Sequence, residues 1–131
     1  YTRQIVLDFS ANIGGTQYMA INQGYPDASG VGPSGAVIYS GQHTDWSYQY
    51  GPDLNPLGMQ GIVKDAITAG SVPSDPNGIY LIIASSDVAS STTGFCVANT
   101  PPYHDSILLN GQILKYGFVG NPTRCPTTGA P

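Results

Sequence analysis

Residues 79–84 read Ile-Tyr-Leu-Ile-Ile-Ala, the only long apolar run in a chain of 131 residues. The run is β-branched and aromatic, without charge or proline, and is most simply a strand. Its unbroken apolar character predicts burial on both faces, as in a sheet covered by helices. The stretch before it, Pro73-Ser-Asp-Pro-Asn-Gly78, is a turn whose Pro and Asn-Gly pairs stop a helix. After it come Ser85-Ser86-Asp87. In α/β sheets the carboxyl ends of strands are where ligands are usually bound, so Ser85, Ser86 and Asp87 are candidate binding residues. Ordinary turn capping by Ser and Asp is the competing explanation.

The rest of the chain is read around that strand. Arg3–Ile13 carries Val6, Phe9 and Ile13 at helical spacing and stops at Gly14-Gly15, although Ile5-Val6-Leu7 also suits the start of a strand. Thr16–Asn22 reads as a second short helix capped by Thr16. A Gly- and Ser-rich loop over 27–34 leads to Ala36–Tyr39, a short strand candidate. The strongest helix signal is 55–69: Asn55 is a good N-cap, Pro56 a good first residue, and Gly70 sits where a left-handed C-terminal residue belongs. Its apolar face is expected from Leu57, Ile62, Val63, Ala66 and Ile67. Gly58 and Gly61 weaken its intrinsic propensity, so packing must hold it. Asn110-Gly111, between Ser106–Asn110 and Gln112–Val119, is a hairpin signal. Strand, helix, strand in this order predicts a right-handed crossover. The expected fold is α/β: a small three-layer-like sheet with a parallel βαβ core (strands near 36–39 and 79–84, helix 55–69) and a C-terminal β-hairpin near 106–119.

Composition narrows the functional classes. Charged residues are 9% of the chain, all eight acids are Asp, and the formal net charge is −4. With no basic cluster, nucleic acid and anionic membranes are not expected partners. The 17 glycines and 11 prolines predict long ordered loops, with nine tyrosines supplying core material. No apolar run approaches the roughly 20 residues that span a bilayer. Two cysteines, Cys96 and Cys125, in a chain of low charge point to an extracellular disulfide; two separate buried thiols are the alternative. Closing a loop of about 30 residues would contribute roughly 3–4 kcal/mol in the chain-entropy model.

Catalytic motifs are sparse. A zincin helix needs two His one turn apart with a Glu between, and this chain has no Glu and only His43 and His104. A zinc site assembled from those two with Asp45 or Asp105, or with the cysteines if unbridged, is a weaker option. Ser85 or Ser86 lacks a Gly-x-Ser-x-Gly elbow, and the glycines between Asp27 and Ala36 are not followed by a Lys-bearing helix. No cofactor is implied and no catalytic residue is assigned. In Gln42–Asp53, Trp46, Tyr48 and Tyr50 alternate, which in an extended chain puts them on one face. Flat aromatics among Asp, Gln and His suit a sugar, by stacking and hydroxyl hydrogen bonds. The candidate binding residues are therefore His43, Asp45, Trp46, Tyr48 and Tyr50, then Ser85, Ser86 and Asp87, and His104. Packing of the aromatics as core under a loop is the competing explanation.

Four stretches together resemble one family: YQYGPDL (48–54), VPSDPNGIYLIIASSDV (72–88), GFC (94–96) and KYGFVGNPTRCP (115–126). Their order is similar to that of the phosphate-induced, EXORDIUM-like family of secreted proteins, best known from plant cell walls. QIVLDFSANI and QYMAINQGY extend the likeness towards the N-terminus. Where that family carries a Cys-Gly-x-His stretch, this chain has Pro101-Pro-Tyr-His104, and where another Cys follows the Cys-Pro it has Thr127–Ala130. The resemblance thus implies one differently wired bridge in place of two. It also implies a longer fold, with a strand before the first helix and a zincin-like helix after the last strand. Residues 1–131 are then expected to be a single, shortened or fragmentary EXORDIUM-like domain.

The expected function is a secreted, extracellular or cell-wall-associated protein that acts by binding or assembly rather than catalysis. Its partner would be a glycan or another protein chain completing the sheet, including a homo-oligomer. One alternative is a fragment of a zincin-like metallohydrolase. Another is a structural subunit that self-assembles through an open sheet.

Overall fold

The computed structural model describes residues 2–96 and 102–125, and the chain falls into two compact units, 1–40 and 41–131. In the first unit, α1 (Thr2–Asn12) is followed by the one-turn α2 (Gln17–Ala20) and a 3-10 turn (Ile21–Gly24). Thr16 caps α2, its hydroxyl accepting from the Met19 N–H. The return stretch is held by the Gly15 N–H on the Gly35 carbonyl, 2.9 Å, and by the Gln23 amide on the Ser34 carbonyl, 2.9 Å. Ile5, Phe9, Tyr18 and Ile21 are exposed, and among the described residues the buried hydrophobic ones run from Leu54 to Cys125.

The second unit carries that core. Helix α3 (Pro56–Thr68) starts as its sequence dictates: Asn55 Oδ1 accepts the Gly58 N–H at 2.9 Å, Pro56 opens the first turn, and Gly70 leaves the helix at φ 68°. Its buried face is Met59, Val63 and Ala66, whereas Leu57 is exposed. Leu57 precedes the first full turn and is rotated off the stripe that the later residues define. Strands β1 (Ile79–Ile83), β2 (His104–Leu109) and β3 (Gln112–Val119) form one sheet in the order β1-β3-β2. β3 is central, antiparallel to β2 and parallel to β1. The β2–β3 hairpin turns at Asn110 (φ 50°) and Gly111 (φ 79°), the two left-handed positions such a tight turn needs. Met59 and Val63 pack with Ile82, Tyr116 and Phe118 in one apolar cluster.

Three expectations are corrected. Residues 36–39 form no strand, and Ile38 is 84% exposed. A strand exists only through ladder bonds to a neighbour, and β1 takes its parallel partner from β3 instead. The parallel βαβ core from 36–39 through the helix to 79–84 is therefore absent. Second, β1 lies at an edge of the described sheet, with β3 rather than residues 36–39 as its parallel neighbour. Third, only one face of β1 is covered. Ile82 is buried and Tyr80 half-buried, while Ile79, Leu81 and Ile83 are exposed. The described sheet has one helix layer, so a continuous apolar run here marks one covered and one bare face rather than two covered ones.

The turn before β1 is tied to the sheet. The Tyr80 hydroxyl donates to the Pro73 carbonyl at 2.7 Å and accepts the Asp75 N–H at 2.9 Å. Cys96 and Cys125 are joined in a disulfide, Cα to Cα 5.0 Å, linking the segment after the Ser91–Thr93 turn to the end of the Pro122–Arg124 turn that follows β3. Beside that link, Phe95 and Phe118 pack edge to face at 5.7 Å.

Candidate functional site

The C-terminal end of β1 is where several sequence candidates meet. Ser85 and Asp87 leave the strand in a turn closed by the Val88 N–H on the Ser85 carbonyl, 3.2 Å. The Ser85 hydroxyl donates to Asp87 Oδ1. Tyr48, 39 residues earlier in the chain, donates its hydroxyl to Asp87 Oδ2 at 2.7 Å, and that hydroxyl lies 3.5 Å from Ser85 Oγ. Ser86 is exposed beside them. The turn-capping role of Ser85 and Asp87 is therefore present, and a third side chain joins it.

The path of the aromatic segment explains the meeting. An extended run would put Trp46, Tyr48 and Tyr50 on one face, but Tyr48 has φ 50° and the chain turns there. The three rings diverge. Trp46 is 83% exposed, Tyr48 reaches β1, and Tyr50 folds down onto α3. The Tyr50 hydroxyl donates to Asp65 Oδ2 at 2.6 Å, and Gln49 donates to the same oxygen. That carboxylate, with burial adding to it, holds the Tyr50 proton and raises its pKa above the ordinary value. Tyr50 thus matches the core-packing explanation, and Trp46 does not.

Asp45 caps its own turn, accepting from the Ser47 N–H at 2.9 Å and the Ser47 hydroxyl at 2.6 Å. Its pKa lies below the usual carboxylate range, chiefly because of the Ser47 hydroxyl. His43 lies 3.3 Å from the Ser71 hydroxyl, and His104 opens β2 with Nδ1 3.4 Å from the Pro102 carbonyl. The two histidines belong to different places, and no group of three His, Cys or Asp able to hold a metal occurs among the described residues.

The sequence reading missed Gln49, Asp65 and Gly61, which together seat Tyr50. A Cβ at Gly61 would lie 2.4 Å from the Tyr50 ring, so the glycine is the floor of that seat. Two glycines within a helix were the available signal. Missed as well is the zipper that brings residues 48–54 against 85–91. Asp53 and Ala89 form a parallel bridge, the Leu54 N–H donates to the Ala89 carbonyl, and the Ala89 N–H to the Pro52 carbonyl. Buried Ser90 donates to the Leu54 carbonyl at 2.6 Å, and Asp53 accepts from the Ser91 N–H and hydroxyl.

The stretches that carried the resemblance are therefore spatial neighbours: 48–54 on 85–91, β1 on β3, and Cys96 on Cys125. No helix among the described residues is long and apolar enough to cross a membrane. The chain is 32% identical over 111 residues to Protein EXORDIUM-like 3 of Arabidopsis thaliana, which covers 78% of this chain and 31% of that protein. It spans about a third of the length of that curated relative. No solved structure matches it. Residues 10–130 match the conserved region of phosphate-induced protein 1, and the chain belongs to the phosphate-induced, EXORDIUM-like family.

Proposed function

We propose that this chain is a secreted, cell-wall-type protein that acts by binding a neutral glycan at the C-terminal end of β1, without catalysing its cleavage. The observation that carries the reading is the exposed Trp46 two residues from a fixed Tyr48–Asp87–Ser85 cluster. An indole open to solvent offers a flat apolar face for a sugar ring. The held carboxylate and hydroxyl of that cluster offer acceptors and donors to sugar hydroxyls. Asp45 precedes the indole in sequence and Asp87 belongs to the Tyr48 cluster, and two carboxylates favour a neutral sugar over an acidic one. The disulfide supports an oxidising compartment.

Trp46 is the only tryptophan, so its fluorescence reports on this place alone. Neutral glucan and xylan oligosaccharides should shift its emission in a saturable way, and oligogalacturonate should not. Tyr48→Phe and Asp87→Asn should each weaken that titration about tenfold, equivalent to about 1.4 kcal/mol. Trp46→Ala, followed by calorimetry, should remove binding. Unshifted emission with every neutral glycan, or full binding by Trp46→Ala, would sink the proposal.

A further inference from the structure

The sheet has a second surface that the glycan reading leaves unused. On the face away from α3, the register sets Ile79, Leu81 and Ile83 beside Lys115, Gly117 and Val119. On the other side of β3 it sets His104, Ser106 and Leu108 beside Gly117, Lys115 and Ile113. Ile79, Leu81, Ile83, Leu108, Ile113 and Val119 are each between 47% and 71% exposed. Together they leave on the order of 600 Å² of apolar surface, the upper end of the largest patch on a typical monomer. A sheet face meant for water alternates polar residues along its strands, and the outward side of β1 has none.

Charge narrows the occupant. Among the described residues Lys115 is the one formally charged side chain on this face, and its ammonium turns to the rim, Nζ donating to the Pro76 carbonyl at 2.7 Å. Asp105 pairs with buried Tyr116 and so belongs to the helix-side face. The surface therefore suits an uncharged, aliphatic, pleated partner, and its own pattern provides one. A two-fold axis running across the strands lays β1 antiparallel on its copy. Ile79 then meets Leu81 of the second copy, Val119 meets Ile113 of the second copy, and Lys115 passes over Gly117 of the second copy. A two-fold along the strands would instead set Leu81 on His104 and Ile79 on Ser106, apolar on polar.

Gly117 fits the first arrangement. A Cβ there would meet only Leu81 Cδ2 at 3.6 Å and the Tyr103 carbonyl oxygen at 3.8 Å, ordinary contacts. Among the described residues none demands a glycine there, and a mid-strand glycine can mark a close approach by another backbone. Two such faces would bury on the order of 1,200 Å², the lower edge of stable protein interfaces. We infer that two copies of this chain pair sheet on sheet through the face of Leu81, Ile113 and Gly117, independently of the glycan site.

The test is the oligomeric state of the 131-residue chain, by sedimentation velocity across a dilution series. The wild type should show a concentration-dependent dimer. Leu81→Lys with Ile113→Lys should raise its dissociation constant about a hundredfold, because two unpaired charges would be buried. Gly117→Val should also weaken it while the monomer's circular dichroism and melting temperature stay at or above wild type, since valine favours a strand. Leu57→Lys, an exposed aliphatic position on α3, should leave it unchanged. A wild type monomeric at every concentration, a dimer indifferent to Leu81→Lys and Gly117→Val, or one equally lost in Leu57→Lys would each overturn the inference.

Discussion

Gly61 shows how a residue that looks wrong for its element can be right for its neighbour. In an isolated helix, alanine at this position would be favoured over glycine by about 1 kcal/mol. Here its methyl would strike the Tyr50 ring, whose hydroxyl is fastened to Asp65 one turn further along α3. Gly61→Ala is therefore expected to destabilise the fold by about 1–2 kcal/mol, the cost of overpacking, when measured by urea unfolding. In a Tyr50→Ala background the sign should reverse, and the double-mutant cycle isolates the steric term. Glycine in a helix was visible in the sequence. Which ring required it was not, because the positive φ at Tyr48 redirects that ring, and no local pattern announces a left-handed tyrosine.

The hairpin and α3 behave as their local chemistry directs. Asn110-Gly111 and Asn55-Pro56 each satisfy a specific backbone need. The segments between elements depend on cross-links instead. The disulfide joins residues 29 apart, across the Phe95–Phe118 contact. Removing it by Cys96→Ser with Cys125→Ser should lower stability by roughly 3–4 kcal/mol in the chain-entropy model. Thermal melting of the variant, and of wild type with and without reductant, measures this. A loss below about 1 kcal/mol would mean that the Asp53–Ala89 zipper and the aromatic pair already hold the segment.

Across the second unit, a core built on Tyr as much as on Leu and Ile makes folding sensitive to alkali. Tyr103 has a raised pKa, from burial first and then from Tyr116 and Asp105, and Tyr50 is raised by Asp65. For both, the folded value lies above the unfolded value of about 10, so the fold retains a proton that the unfolded chain releases. Their contribution is complete below about pH 10 and is lost as pH rises through the folded values. Unfolding free energy should therefore decline with rising pH above that point, and Tyr103→Phe should flatten the decline. Denaturant titrations at stepped pH, with tyrosinate absorbance followed in parallel, would show it.

Short-range chemistry alone dictated the helix 55–69, the Asn-Gly hairpin and the strand at 79–83. Each rests on a cap, a turn or a period contained within a few residues. Kinship with the EXORDIUM-like proteins was carried by the same local stretches. Long-range packing alone could choose β3 as the centre, leave 36–39 unpaired and bring Tyr48 to Asp87. A strand's neighbours, and the face it shows to water, depend on which distant segments supply ladder bonds and cover. An apolar hexapeptide reads the same whether one of its faces is sheathed or both.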